Sequence, residues 1–152
     1  MQATAIVLRG SYINPIYVGI ELWKLDSYAH AGILLSDGTI VEASARANQV
    51  VHHRHPVDWY NYETLLGLTH LGESSCERIA TLALSMKGWK YDWRAAKSQT
   101  LEEIYSLNEE DSRRVICFEH VVLCCKEFFT FSSRPYLCDS TDLISAWESS
   151  LL

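Results

Sequence analysis

The chain has 152 residues and a mass of 17.3 kDa, enough for one compact domain spanning residues 1–152 and too little for a second independent core. Hydrophobic residues make up 48%, charged residues 21%, and there are only seven glycines and three prolines, which excludes a disordered, collagen-like or low-complexity chain. The net charge of −6 and pI near 5.4 have the wrong sign for a protein that tracks a nucleic-acid backbone or an anionic membrane, so neither partner is expected.

The first ten residues lack the basic start, long apolar stretch and small-residue cleavage site of a secretory signal. No apolar run approaches the ~20 residues of a membrane-spanning helix; Glu119, His120, Lys126 and Glu127 break the most apolar stretches. Cys76, Cys117, Cys124, Cys125 and Cys138 form an odd set without a CxxC pair, which predicts neither a disulfide framework nor a structural zinc site. A reducing cytoplasm is the expected compartment.

Taken in chain order, β-formers and turn residues predict strands over residues 5–8, 29–35, 39–43 and 49–55, a small antiparallel sheet. Ser36-Asp37-Gly38 supplies the turn of a hairpin over 29–43. With the turn at Asp37-Gly38, Ser36 is expected opposite Thr39 and Ala31 opposite Ser44, which brings His30 and Glu42 near each other across the ladder. The period then changes. Ile79, Leu82, Ala83 and Met86 are spaced for one helix face, after a cap at Ser74 or Ser75 and before a stop at Gly88. Further helices are predicted over 101–107 and 114–129, the second with a core stripe of Cys117, Val121, Cys124 and Phe128. Residues 108–112, with Glu109-Glu110-Asp111, read as a solvated loop. A short terminal helix carrying Leu143, Ile144 and Trp147 is expected to be capped by Ser140 or Thr141.

Cys117 stands at the predicted start of a helix, where unpaired amides and the positive end of the dipole favour a thiolate. A cysteine, a histidine to take its proton and a polar group to fix the histidine tautomer are the minimum apparatus for acyl transfer through a thioester. Cys117, His30 and Glu42 are candidates for the three parts.

Two segments carry a resemblance: His30-Ala31-Gly32-Ile33 followed by Glu42-Ala43, and Cys117-Phe118-Glu119-His120-Val121. They resemble the circularly permuted branch of the NlpC-type papain-like peptidases and amidases, which includes lecithin:retinol acyltransferase-like proteins. Gly88-Trp89-Lys90-Tyr91-Asp92 is similar to the family's Gly-x-x-Tyr-Asp segment, and Ser140-Thr141-Asp142-Leu143 to its closing Pro-x-Asp-Leu. The resemblance covers most of the chain, and the order His, polar residue, Cys is that of the permuted form. Phe118 replaces a small residue, His120 an apolar one and Ser140 a common proline; none of these removes a proposed catalytic group. The resemblance implies an α+β, permuted papain-like fold with the small sheet first and the nucleophile helix in the C-terminal half. It implies Cys117 as nucleophile, with its backbone N–H in an oxyanion hole, His30 as base and acid, and Glu42 orienting His30. Tyr91, with Trp89 and Trp93, is expected to line the cleft. No metal or organic cofactor is implied.

Each residue alone has a plainer explanation. Cys117 on an apolar stripe reads as an inert buried thiol, His30 as a satisfied sheet histidine and Glu42 as a strand carboxylate. Their order and company favour chemistry. His120, three residues after Cys117, reads as a bystander, and His52, His53 and His55 as surface histidines rather than a metal site. Cys124 and Cys125 read as small core hydrophobes, and the five tryptophans as core or cleft walls rather than a nucleic-acid stacking platform. The expected activity is hydrolysis of an amide or ester in a peptide, cell-wall fragment or lipid-acyl substrate. The alternatives are a thioester-forming acyltransferase, a non-catalytic peptide- or glycan-binding module on the same fold, and an interaction protein with an absent partner.

Overall fold

In the computed structural model, residues 1–10, 28, 30–55, 63–93 and 114–152 are described. The predicted helix over 101–107 and the loop over 108–112 lie outside them. The architecture is mixed α+β. Strands β1 (Ala3–Arg9), β2 (His30–Leu35), β3 (Thr39–Ser44), β4 (Gln49–Arg54), β5 (Glu63–Gly67), β6 (Lys90–Tyr91) and β7 (Arg114–Val115) form one sheet in the order β5-β1-β2-β3-β4-β6-β7. Helices α1 (Glu73–Ser85), α2 (Cys117–Cys125) and α3 (Ser140–Ser150) complete the regular structure of the described residues, with 3-10 turns at Thr69–Leu71 and Pro135–Leu137.

The sheet is curled. His55 follows β4 and Glu63 opens β5, with three strands between them in the sheet order, so a flat sheet would set them ~19 Å apart. Their side chains instead meet at 2.8 Å, and the His55 amide donates to the Gly38 carbonyl at 3.3 Å. The four predicted strands are present with edges moved by one or two residues, whereas β5, β6 and β7 enlarge the small sheet that composition predicts.

The hairpin register differs from expectation by one residue, and the difference decides which side chains meet. Ile33 lies opposite Val41 and Leu34 opposite Ile40, because the loop has three residues, Ser36, Asp37 and Gly38, rather than two. The Gly38 amide donates to the Leu35 carbonyl at 3.0 Å and Gly38 sits at φ +82°, the left-handed position that closes a three-residue loop. The expected pairing would have set His30 and Glu42 on opposite faces, since a slip of one residue exchanges the faces. The observed register makes them diagonal neighbours on one face, with Gly32 between them.

Ala31, Ile33, Leu35, Val41 and Ala43 alternate with that pair and join a buried cluster that Ile79 and Ala83 of α1 and Val121 and Cys124 of α2 complete. Eight of the nine α2 residues are buried, as expected of a helix apolar on all sides, and α2 packs against β2, β3 and α1.

Three boundaries are corrected. Helix α1 is capped by Gly72, at φ +91°, so that Ser74 and Ser75 lie inside its first turn. Arg114 and Val115 are extended, because Lys90 and Tyr91 offer them a parallel backbone ladder, and the helix predicted over 114–129 is limited to Cys117–Cys125. Helix α3 is capped by Asp139, not Ser140 or Thr141: its carboxylate accepts from the Asp142 amide at 3.1 Å, while the Asp142 carboxylate accepts from the Asp139 amide at 3.0 Å. Gly38→Ala places a Cβ at positive φ and is expected to lower stability by about 1 kcal/mol or more in urea unfolding; unchanged stability would show that the loop does not need that conformation.

Candidate functional site

His30 begins β2 and Glu42 lies near the end of β3, so each is placed by backbone pairing rather than by a mobile loop. Their exposures are 4% and 5%, and His30 Nε2 lies 3.4 Å from Glu42 Oε2. Gly32 lets β2 and β3 approach closely here: a Cβ there would stand 2.9 Å from Ile40 Cδ1 and 3.2 Å from the Val41 carbonyl oxygen. Burial opposes ionisation of Glu42, yet His30 and then His53, through charge and hydrogen bonding, hold its carboxyl below the usual range. The site therefore contains a buried carboxylate, not a neutral acid.

Cys117 is the first residue of α2, buried at 5% exposure, on the helix that packs across the strands carrying His30 and Glu42. Ile116 arrives extended, and the Glu119 carboxylate accepts its amide proton at 3.3 Å. Ile116 has no side-chain acceptor to complete a reciprocal cap. The first intrahelical bond, His120 amide to Ile116 carbonyl at 2.9 Å, leaves the Cys117 amide outside the helical ladder, at the positive end of the dipole. The other four thiols are poor nucleophiles: burial pushes Cys76, Cys124 and Cys125 up, and burial aided by nearby carboxylates pushes Cys138 up to about 12. Cys124 and Cys125 are core residues, as their spacing predicts.

The parallel pairing of β6 with β7 joins the Gly-Trp-Lys-Tyr-Asp segment to the strand that delivers Cys117. Tyr91 lies opposite Val115, and the Asp92 amide donates to the Val115 carbonyl at 3.0 Å. Of the three aromatic residues expected in the cleft, Tyr91 is buried, Trp89 is half-buried against the core and Trp93 is 50% exposed. The Tyr91 and Trp93 rings meet edge to face at 4.9 Å, and Trp93 Nε1 donates to Asn48 Oδ1 at 3.0 Å.

Of the three histidines read as surface groups, His55 is buried, and His52 and His53 are half-buried with polar partners. His53 Nε2 lies 3.6 Å from Glu42 Oε1, so the carboxylate has an imidazole on each side. His55 is buried at 4% and paired with Glu63, and His52 Nε2 meets Thr39 Oγ1 at 2.7 Å. The period-2 spacing that sets His53 diagonal to Glu42 exists in the sequence, but using it requires the β3–β4 register, in which Glu42 faces Val51 and Ile40 faces His53. Register also sets Glu63, Arg9 and His30 in one row across β5, β1 and β2, and nothing local to Arg9 announces it.

His120 is fully buried between α1 and α2, with Nε2 donating to the Ala83 carbonyl at 3.4 Å. Burial holds its pKa down to about 4; the Ala83 carbonyl and Glu42 oppose that shift, and the charge of His30 adds to it. The ring is therefore neutral at pH 7, and so low a pKa makes it a weak base. Among the described residues no helix is long and apolar enough to cross a membrane, and no group of three His, Cys, Asp or Glu side chains is placed to hold a metal ion. No family model and no curated protein matches the sequence.

The buried pair and His120 make stability depend on pH. An unfolded chain protonates His120 near 6.5, whereas the folded chain resists until about 4, so stability falls as pH drops across that window, by on the order of 3 kcal/mol at most. Glu42, held low, adds stability above its unfolded value that is lost as pH falls through its lower folded value. His120→Gln is expected to flatten urea-unfolding stability between pH 6.5 and 4. An unchanged slope would contradict the buried neutral ring.

Proposed function

We propose that this protein is a cysteine hydrolase of permuted papain-like fold, acting on an amide or ester through a thioester on Cys117. The observation that supports the reading is the buried His30–Glu42 pair at 3.4 Å; the Cys117 helix packs on the same two strands through the residues that alternate with the pair. In this reading the Glu42 carboxylate facing Nε2 favours the tautomer with the hydrogen on that nitrogen, and Nδ1 acts as the base.

In the reaction, Nδ1 takes the Cys117 proton and the thiolate attacks the substrate carbonyl carbon, forming a C–S bond and an oxyanion. The Cys117 amide, ahead of the helical ladder, supplies a donor to that oxyanion. Collapse breaks the bond to the leaving amine or alcohol, which accepts the proton from Nδ1. Water then gives a proton to Nδ1 and attacks the thioester; release of the acid returns the proton to sulfur. Glu42 stays ionised throughout and stabilises the transient imidazolium. The substrate class is a peptide, a cell-wall fragment or a lipid acyl group, and an amine or alcohol in place of water would make the same apparatus an acyltransferase.

A nitrophenyl ester and a peptide amide, followed by turnover and by intact mass, test the reading. We expect an acyl adduct on Cys117, none in Cys117→Ala, and a rate at least ~100-fold lower in His30→Ala. Unchanged turnover in Cys117→Ala would sink it. A second reading rests on Trp93, whose half-exposed ring against Tyr91 offers an aromatic face to a peptide or glycan. Ligand binding that survives Cys117→Ala, without any adduct in the native protein, would select that binding module instead.

A further inference from the structure

We propose that His53 is a positioning residue for the same site: it holds the second oxygen of Glu42 and, by sharing that carboxylate with His30, keeps His30 neutral to lower pH. The inference rests on the hydrolase reading for its consequence, but its geometry stands apart from Cys117. Glu42 Oε2 faces His30 Nε2 at 3.4 Å and Glu42 Oε1 faces His53 Nε2 at 3.6 Å. One buried carboxylate thus serves two imidazoles of unequal exposure, with the His30 side chain at 5% and the His53 side chain at 37%.

The second nitrogen of His53 has a backbone partner of its own. His53 Nδ1 lies 3.0 Å from the Arg54 carbonyl oxygen, which can only accept, so Nδ1 carries a hydrogen. In the neutral ring Nε2 would then aim a lone pair at the Glu42 carboxylate. In the imidazolium both nitrogens carry a hydrogen, one bonded to the Arg54 carbonyl and one facing Glu42 at ion-pair distance, and the ring is open to solvent. When His53 is charged, part of the field of Glu42 is spent on it, and a second positive charge on His30 is less favourable.

The other groups near the pair do not replace this link. His120 on α2 reaches Glu42 and His30 only electrostatically and is neutral near pH 7. Opposite His53 on β3 stands Ile40, which does not titrate. Arg9, opposite His30 on β1, keeps its charge throughout the range in question and cannot supply a pH-dependent step.

The test is an NMR titration of the His30 ring in the native protein, in His53→Gln, in Glu42→Gln and in the double variant, with the Cys117 adduct assay run in parallel. Gln retains a donor toward Glu42 and cannot be charged, and His53 is exposed enough for the variant to fold. We expect His53→Gln to raise the His30 midpoint by about half a pH unit, to move the acid limb of adduct formation the same way, and to do neither in the Glu42→Gln background. An identical His30 midpoint in native and His53→Gln protein would overturn the inference, as would a shift of equal size without Glu42. If the midpoint shifts while Cys117 forms no adduct in any protein, the histidine coupling holds and the hydrolase reading fails, so the two are separately decided.

Discussion

A carboxylate that is only 5% exposed has to be compensated, and the geometry around Glu42 follows from that requirement. Removing a carboxylate from water costs several kcal/mol unless opposite charge and hydrogen bonds replace the lost hydration. Here two imidazoles flank it, at 3.4 and 3.6 Å, from the strands on either side of β3, and hold its carboxyl below the usual range. That arrangement needs one register on each side of β3 and a curl that shields the face from solvent. Taking away either histidine would leave a buried charge partly unpaired, so the polar cluster and the sheet that holds it are specified together.

The hairpin loop is where sequence translates into site. A two-residue turn and a three-residue turn differ by one step of register, and that step decides whether His30 and Glu42 share a face. Gly38 at φ +82° selects the longer loop, so a glycine remote from the carboxylate determines the partner that the carboxylate meets. On the other side of the site, the short parallel ladder of β6 and β7 stops the chain from becoming helical before Ile116. Cys117 consequently begins α2 instead of lying in its interior, with its amide ahead of the helical bonds.

Much of this was legible from residues alone, because strand alternation, the Ser36-Asp37-Gly38 turn and the apolar spacing of Ile79 to Met86 are local signals. The nearness of His30 and Glu42 along the hairpin is legible, but their sharing of one face is not, because the expected register sets them on opposite faces. His53 was not legible, since its role depends on which residue of β3 it opposes. Residues 114–115 misled because Arg114 and Val115 fit a helix as well as a strand, and only Lys90 and Tyr91, more than twenty positions away, decide between them. Cap positions failed similarly: Asp139 outcompeted its serine and threonine neighbours because its carboxylate and that of Asp142 satisfy each other's amides.

The proposed chemistry turns on His30, held by Glu42, as the base for Cys117. Alkylation of each cysteine as a function of pH, read by mass spectrometry on native protein and on His30→Ala, tests it without a substrate, with the four raised thiols as internal controls. The account predicts that Cys117 alone reacts rapidly below pH ~7, under the ordinary thiol value of about 8.5, and that it slows in His30→Ala. A Cys117 that reacts no faster than Cys76 or Cys138, or that ignores the loss of His30, would contradict it.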